Sequence, residues 1–354
     1  MSETVRVGIV GSRFAAGLHA ESYKRLPYVK VVAVAAKDNL KEFGDQYGIA
    51  DRYEDAAELF ARKDIDLISV CVPNFLHKEI VLQAAAAGHK NLICEKPLAT
   101  SLADAKLMID TCERAGVKLM YAEDWCFAPA LQRAKQIVDE GGIGKLLFVK
   151  AKEVHNGSHS IYAQRKEYCG GGALLHLGCH PIAWVRWLVG EEVSEVVGNV
   201  TSGQQGNLLH TNYTGEDWGV AVMTFANGVK AFCEGNYITC GGMDDVVEVY
   251  GAEGVIKVDV TFGSPLRVYS RPGFTYAIEK ADTTKGWTNP AVDEFASLGY
   301  CGEISAFVDC VRYNKPIPRG LTGQDGLASL ATVLAAYRSS ESGRAVKMSE
   351  FLAS

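Results

Sequence analysis

The sequence VRVGIVGSRFAAG, residues 5–17, joins an apolar run to a glycine and then to a helix-forming segment. The run Arg6–Val10 predicts a buried strand, and Ala15–Leu26 predicts a helix. Gly11 lies between them, where a tight turn favours a residue without a side chain. We therefore predict that the chain opens with a strand, a glycine turn and a helix, which is the first unit of a parallel α/β sheet.

The same alternation continues to about residue 125. Apolar runs separated by helical patterns indicate a parallel sheet with helices on both faces. Residues 1–125 are therefore predicted to form a Rossmann-type, doubly wound α/β domain. Further strands are predicted at Val31–Ala36, Leu67–Val72, Asn91–Cys94 and Lys118–Ala122, and further helices at Ala56–Arg62, Lys78–Ala87 and Leu102–Ala115.

After about residue 145 the pattern changes to strands joined by tight turns, such as Ala226-Asn227-Gly228. We predict a second α/β domain, residues 126–354, with a large, open and mainly antiparallel sheet. One helix is predicted at Leu174–Val189, and the late helices Glu294–Tyr313 and Gly323–Ser342 are expected to pack back on the first domain. The strands are predicted at Leu146–Val154, Val193–Thr201, Trp218–Phe225, Val229–Tyr237, Val246–Tyr250, Val255–Val260 and Leu266–Ser270.

The composition is that of a globular protein. The chain has 354 residues, 48% of them hydrophobic and 22% charged, with a net charge of −6. No basic stripe could follow a nucleic-acid backbone, and no apolar run reaches the roughly 20 residues of a membrane span. The N-terminal apolar run is too short for a signal peptide, and the ten cysteines form no C-x-x-C pair. We expect a cytoplasmic protein with reduced, mostly buried thiols and no nucleic-acid or membrane partner.

The glycine turn resembles the G-x-G-x-x-G fingerprint of dinucleotide-binding sites, with an imperfect match. Gly11 fills the first position, Arg13 replaces the second glycine and Ala16 takes the third. In such sites the helix N-terminus holds the pyrophosphate, and an arginine must turn outward, where it could contact phosphate or adenine. An ordinary tight βα turn is the alternative. Cofactor contacts are predicted for Gly11, Ser12, Arg13, Phe14 and Ala15.

The end of the second predicted strand bears on the choice of cofactor. An NAD site usually has Asp or Glu there to bind the ribose hydroxyls. In this chain Ala36 takes that position and Lys37 follows. A missing acid and an added cation favour NADP over NAD. The alternative is that Lys37 is a solvated helix-start residue and that either cofactor binds.

Two motifs at strand ends carry a family resemblance. Val72-Pro-Asn-x-x-His77 ends one strand and Cys94-Glu-Lys-Pro97 ends the next. With the block Gly170–His180, they closely resemble the glucose–fructose oxidoreductase and inositol dehydrogenase family (Gfo/Idh/MocA). The resemblance covers essentially the whole chain, including Ala122–Pro129 and Gly323–Leu327. On this basis, cofactor contacts are expected at Pro73, Asn74, His77, Glu95 and Lys96.

The resemblance implies hydride transfer between a nicotinamide cofactor and a hydroxyl-bearing carbon of a sugar or cyclitol. It also implies that Lys96 and His180 are active-site residues and that an aspartate normally occupies position 176, where this chain has His176. A histidine titrates near neutrality and suits the role of base, and a lysine can stabilise developing alkoxide charge. His176 is expected to share the acid–base role without supplying the negative charge. Alternatives are a surface role for Lys96, a core role for His180, and Asp124, Tyr162 or Glu153 as the base.

Polar residues that could bind a polyhydroxylated substrate follow the first strand of the second domain, and the resemblance places this region near substrate. A sugar needs several donors and acceptors around it. A solvated loop is the alternative for Arg165, and core packing is the alternative for Trp125. Besides Lys96, His176 and His180, substrate contacts are predicted for Asp124, Trp125, His155, Asn156, His159, Tyr162 and Arg165.

The spacing of His176 and His180 also matches two zinc ligands on one helix. We expect no metal, because the second position lacks the glutamate of an H-E-x-x-H motif and hydride transfer needs no metal. Pro181 moreover disfavours a regular helix across the pair.

Three functions are compatible with these residues. The first is an NAD(P)-dependent dehydrogenase of a sugar, sugar derivative or cyclitol, acting as a homodimer or homotetramer through the second sheet. The second is a redox-neutral glycosidase that oxidises, eliminates and reduces again. The third is a non-catalytic regulator that senses a nucleotide.

Overall fold

The chain folds into two compact units, one made of Met1–Phe127 and Gly299–Ala328 and the other of Ala128–Leu298 and Ser329–Ser354. The structure is a computed structural model that describes residues 4–158, 160–261, 266–275, 283–290 and 292–353. Each unit is built around its own main sheet.

The sheet of the N-terminal unit is parallel throughout and has the order β3-β2-β1-β4-β5-β6. Strands β1 and β4 are almost entirely buried because helices cover both faces. This confirms the predicted doubly wound fold. The strands are β1 Val5–Val10, β2 Val29–Ala35, β3 Asp51–Tyr53, β4 Leu67–Val70, β5 Asn91–Cys94 and β6 Lys118–Tyr121.

Helices connect these strands as the alternation predicts, with two additions. Strand β3 and helix α2 were not predicted. Strand β3 has only three residues, Asp-Arg-Tyr, and therefore shows no apolar periodicity. The helices are α1 Phe14–Lys24, α2 Leu40–Tyr47, α3 Ala56–Phe60, α4 His77–Ala86 and α5 Leu102–Ala115.

The main sheet of the C-terminal unit is mixed and mostly antiparallel, with the order β13-β12-β7-β10-β9-β8-β16. Only β7 and β10, among its described pairs, run parallel. The predicted mainly antiparallel sheet is confirmed. The strands in this order are β7 Leu146–Asn156, β8 Val193–Val200, β9 Trp218–Phe225, β10 Lys230–Asn236, β12 Val246–Gly251, β13 Val255–Asp259 and β16 Val346–Lys347. Strand β11 Ile238–Met243 also pairs with β7, and β14 Val268–Ser270 and β15 Gly286–Thr288 form a separate two-stranded sheet.

Two predicted helices are each divided in the structure. The segment predicted as Leu174–Val189 breaks at Leu177–Gly178, and the segment predicted as Glu294–Tyr313 breaks at Leu298–Gly299. The remaining helices are α6 Pro129–Asp139, α7 Lys166–Cys169, α8 Ala173–His176, α9 Cys179–Val189, α10 Glu294–Ser297, α11 Tyr300–Arg312, α12 Gly323–Ser342 and α13 Met348–Ala353.

Pro181 explains the first break. It has no N–H to donate to the carbonyl of Leu177, so a continuous helix would lose that hydrogen bond. The chain instead starts α9 at Cys179, which places Pro181 in the first turn, where a missing N–H costs little.

Helices α8 and α9 pack on β9, β10 and β7 and cover one face of the second sheet. On β8 and β9 the paired side chains of Val197 and Val222 are exposed.

Eight of the ten cysteines are buried. Within the described residues, no helix combines the length and apolarity needed to cross a bilayer.

Candidate active site

The loop after β1 is shaped by Gly11. Its φ is +119°, and a Cβ atom there would lie 2.3 Å from the carbonyl oxygen of Cys71. Only glycine therefore allows this close approach of the β1 and β4 loops. The next residues open helix α1, whose N-cap Arg13 makes no side-chain hydrogen bond to the helix amides. Those amide N–H groups form a positive helix end, which suits an anion such as a pyrophosphate.

The loops after β1 and β2 are joined by Asp38. The Ser12 hydroxyl donates to the carbonyl of Asp38 at 2.5 Å, and Arg13 Nε donates to Asp38 Oδ2 at 3.0 Å. Asn39 Nδ2 donates to the carbonyl of Ser12 at 2.9 Å. The arginine in the second glycine position thus turns outward and pairs with an acid that sequence reasoning overlooked. Ala36 is half-buried, while Lys37 is exposed.

His77 links the loop after β4 to the loop after β5. Its ring is fully buried, with Nε2 2.9 Å from the carbonyl oxygen of Val72 and Nδ1 3.0 Å from that of Pro97. Burial lowers the pKa of His77, and these carbonyl oxygens oppose that shift. The side chain faces the protein interior and holds the turn that carries Lys96. Pro73 and Asn74 belong to the same β4 loop and are half-buried.

Glu95 forms a buried pair with His19, which extends from α1. His19 Nε2 lies 2.9 Å from Glu95 Oε1, and His19 Nδ1 lies 3.1 Å from the hydroxyl of Ser69. Burial by itself raises the pKa of Glu95, but the bond and charge of His19, with the charges of Lys96 and His77, outweigh it and the pKa is lowered. An ionised carboxylate therefore lies beside the half-buried Lys96, whose backbone N–H donates to Glu95 Oε2 at 3.2 Å.

The segment after β6 carries a group of buried acids. Asp124 is buried in a 3-10 helix, Asp124–Phe127, on which α11 packs. Burial and the nearby Asp124 and Glu95 raise the pKa of Glu303, on α11, well above its ordinary value. Trp125 is 2% exposed, which agrees with the core-packing alternative for this residue.

In the C-terminal unit, Gly172 lets α8 approach the chain before β9. A Cβ atom at Gly172 would lie 2.1 Å from the carbonyl oxygen of Glu216. The same carbonyl accepts a hydrogen bond from Ala173 N at 2.8 Å, and the carboxylate accepts one from Leu174 N at 3.0 Å. Glycine at position 172 is therefore needed for the position of α8 and of His176, the last residue of that helix.

His176 contacts Tyr237, which lies between β10 and β11. His176 Nδ1 is 2.7 Å from the Tyr237 hydroxyl, and Tyr237 packs in a buried cluster with Ala173, Leu177 and Tyr213. Burial raises the pKa of Tyr237 well above its ordinary value. The phenol therefore keeps its proton at neutral pH and can donate it to Nδ1.

His180 lies in the first turn of α9, next to Glu153 of β7. His180 Nε2 is 3.8 Å from Glu153 Oε2, and His155 Nε2 is 3.5 Å from Glu153 Oε1. His176 and His180 occupy separate helices, so the single-helix spacing that suggested two zinc ligands is wrong. The break at Leu177–Gly178 is the physical reason.

The other predicted substrate residues follow β7. Asn156 is exposed at the end of that strand, and Tyr162 packs edge-on against Tyr168 with 5.7 Å between ring centres. Arg165 is exposed at the N-terminus of α7. His159 lies outside the described residues. Phe14 is exposed and Ala15 half-buried at the start of α1.

Three side chains in these groups were missed by sequence reasoning: Asp38, His19 and Tyr237. An acid two residues beyond Ala36, at the end of the second strand, was a usable signal for Asp38. His19 and Tyr23 stand four residues apart on the buried face of α1, and both contact Ser69, which a periodicity analysis of polar residues could have suggested. No sequence signal pointed to Tyr237.

Known proteins match both units. Residues 5–123 match the model of the oxidoreductase family with an NAD-binding Rossmann fold, and residues 131–257 match the GFO/IDH/MocA C-terminal domain. The myo-inositol 2-dehydrogenase of Thermotoga maritima is 26% identical over 354 residues, which cover 98% of this chain and 100% of that protein. The 2,7-anhydro-N-acetylneuraminate hydratase of Mediterraneibacter gnavus is 27% identical over 384 residues, covering 99% of this chain and 98% of that protein.

A solved structure is also similar. GenD2 from gentamicin A biosynthesis, in complex with NAD, superposes with a TM-score of 0.89 and 28% identity, covering 98% of this chain and 97% of that chain. Together the two family models match residues 5–123 and 131–257, which is more than half of the chain. The chain therefore belongs to the Gfo/Idh/MocA family of oxidoreductases, with an NAD-binding Rossmann domain.

Proposed function

We propose that the protein transfers a hydride between a nicotinamide cofactor and a secondary hydroxyl or ketone of a sugar, sugar derivative or cyclitol. The observation that carries this proposal is the arrangement of buried side chains that holds the turn with Lys96. A lysine at the carboxyl end of β5 follows an ionised buried glutamate, in a turn tied by His77 and by the His19–Glu95 pair. Ligands bind at this edge of open parallel sheets.

The residues at the β1 and β2 ends fit a dinucleotide. The closely packed Gly11 loop and the N-terminus of α1 suit a pyrophosphate, with Ser12, Arg13, Phe14 and Ala15 beside it. When bound, the nicotinamide supplies or accepts the hydride. Pro73 and Asn74 would complete this side of the site, whereas His77 and Glu95 act by holding the Lys96 turn.

For the proton, we propose His180 as the base that receives it from the substrate hydroxyl. Lys96 stabilises the negative charge that develops on the same oxygen. His176, fixed by Tyr237, provides a hydrogen bond to the substrate and a share in proton transfer. Asp124, His155, Asn156, His159, Tyr162 and Arg165 remain candidates for substrate contacts.

This function is tested by net turnover. Purified protein is incubated with NAD or NADP and a panel of aldoses, sugar acids, glycosides and inositols, including myo-inositol, and the absorbance of reduced nicotinamide is followed. We expect stoichiometric formation of NAD(P)H with at least one polyol. Nucleotide binding without turnover of any panel member, in either direction, would favour the non-catalytic regulator.

A second candidate is a redox-neutral lyase or glycosidase. It is favoured by His176, which replaces the usual acid of the family, and by the relationship to a hydratase of an anhydro sugar. Its mark is conversion of a glycoside or anhydro sugar with no net change in nicotinamide absorbance.

We further propose that NADP is preferred to NAD, because Ala36 supplies no carboxylate for a ribose hydroxyl and the exposed Lys37 follows it. Arg13 is already paired with Asp38, which leaves Lys37 as our candidate for the 2′-phosphate.

Replacement of Lys37 tests the cofactor preference. Lys37→Ala is expected to weaken NADP binding about tenfold and NAD binding hardly at all, since only NADP has the phosphate. Lys41→Ala, at an exposed lysine in the first turn of α2, is the matched control. Calorimetric titration measures both cofactors. Equal losses for NAD and NADP would refute a contact of Lys37 with the 2′-phosphate.

We also propose a homodimer or homotetramer that covers the outer face of the second sheet. Val197 and Val222 lie opposite each other there and are 45% and 39% exposed, and Phe148 and Tyr250 extend the apolar surface. Exposed apolar patches on a sheet are commonly covered by a partner. Sedimentation equilibrium measures the mass, and a monomer at micromolar concentration would contradict this assembly.

A further inference from the structure

Glu153 is a buried acid on a face of β7 that is otherwise apolar. Side chains alternate along a strand, so Glu153 shares its face with Val149 and Ala151, both of which are fully buried. Helix α9 packs on this strand. The Glu153 side chain is only 7% exposed, and burial of an ionised carboxylate is strongly unfavourable unless positive groups compensate it. Its position therefore calls for a specific partner.

Two imidazoles lie next to this carboxylate, one on each oxygen. His155 Nε2 is 3.5 Å from Oε1 and His180 Nε2 is 3.8 Å from Oε2. These separations exceed an ordinary hydrogen bond, so the interaction is chiefly electrostatic and is strongest when an imidazole is protonated.

Three other charged side chains on β7, α9 and β10 have partners of their own. Lys152 pairs with Asp244, and Arg186 of α9 pairs with Glu192. On β10, Glu234 accepts a hydrogen bond from the Trp218 indole at 3.0 Å. The imidazoles of His155 and His180 are thus the groups on which the electrostatic argument for Glu153 rests.

We propose that Glu153 is a positioning residue for His180: its carboxylate orients the imidazole and stabilises the imidazolium that forms during proton transfer. The carboxylate comes from strand β7, whereas position 176 carries an imidazole and brings no negative charge. The inference rests on the proposed function in so far as His180 exchanges a proton with substrate. The electrostatic coupling itself can be measured without turnover.

The test uses the full chain with Glu153→Gln, which keeps the shape and removes the charge. We expect the pKa of the His180 ring, followed by NMR and assigned by the signal lost in His180→Gln, to fall by about one unit, because a neutral amide stabilises the imidazolium less. With the best substrate of the polyol panel, the acid limb of kcat/KM should shift by the same amount. We also expect kcat to fall at least tenfold, with an unchanged Kd for NADP.

Two further variants serve as controls for the effect of Glu153→Gln on the His180 titration. Glu153→Asp keeps the charge but retracts it by one methylene, so its shift should be smaller and should have the same sign. It also serves the titration if Glu153→Gln does not fold. Glu248→Gln, the same change on β12 beside Tyr250, Lys150 and Lys257, should leave the His180 titration unchanged.

The outcomes separate this inference from the proposed function. An unshifted His180 titration in Glu153→Gln overturns the role of Glu153 even in an active enzyme. A shifted titration supports the coupling even if no panel substrate reacts. In that case the failure belongs to the proposed function.

Discussion

Replacement of Lys96 by methionine is expected to lower kcat about 10²–10³-fold while the Kd for NADP changes less than severalfold. The side chain keeps its length and loses its charge, so the oxygen of the reacting carbon loses the group proposed to stabilise it. The neighbouring Glu95 also loses one of the charges that lower its pKa. Steady-state kinetics with the best polyol, together with calorimetric binding of NADP, measure both effects.

Lys90 provides a matched control at the other end of the same strand. Lys90 precedes β5 and Lys96 follows it, and Lys90 Nζ donates to the carbonyl of Ala115 at 2.6 Å. Lys90→Met therefore makes the same chemical change at the amino edge of the sheet and should leave kcat unchanged. If Lys96→Met retained the wild-type rate, Lys96 would be a surface charge and the proposed mechanism would lose its electrostatic group.

His180→Ala is expected to lower kcat for alcohol oxidation about 10²–10⁴-fold, which is the usual contribution of a positioned base. A base must be neutral to accept a proton, so the wild-type rate should fall as the pH drops below the pKa of that base. In the variant the residual rate should lack this limb. A pH profile of kcat/KM in the direction of oxidation measures it.

A buried histidine elsewhere separates lost chemistry from lost packing. His89 is buried at the amino end of β5, with Nε2 3.0 Å from the carbonyl oxygen of Phe60. His89→Ala should lower the free energy of unfolding and preserve the pH profile. An intact acid limb in His180→Ala would assign the base to another residue, with Asp124 and Tyr162 the next candidates.

Apolar periodicity predicted the helices and strands that have a clear apolar pattern of their own. The strands of four or more residues in the N-terminal unit and the long helix α12 were confirmed. Strand β3 was missed because its three residues are held by pairing with β2 rather than by their own pattern. The helix predicted at Leu174–Val189 is present as two helices, because apolar spacing continues through residues 177–178 whereas the regular helical hydrogen-bond pattern is interrupted there.

The site divides in the same way. Gly11 was recognisable because a tight backbone turn requires glycine at a single position. The close approach of the Gly11 backbone to the Cys71 carbonyl confirms the need for glycine there. The link from Arg13 to Asp38, the His176–Tyr237 contact and the approach of Glu153 to His180 join residues between 25 and 61 positions apart. A single sequence records no such pairing.

The sequence by itself determined the parallel N-terminal sheet, the glycine turn and the motifs that identify the family. These features follow from local periodicity and backbone conformation, which neighbouring residues set. Only the tertiary structure decided which charges meet: Asp38 with Arg13, His19 with Glu95, and Glu153 with His180. Electrostatic energy depends on distance in space and on burial, and both arise when separate strands and helices pack together.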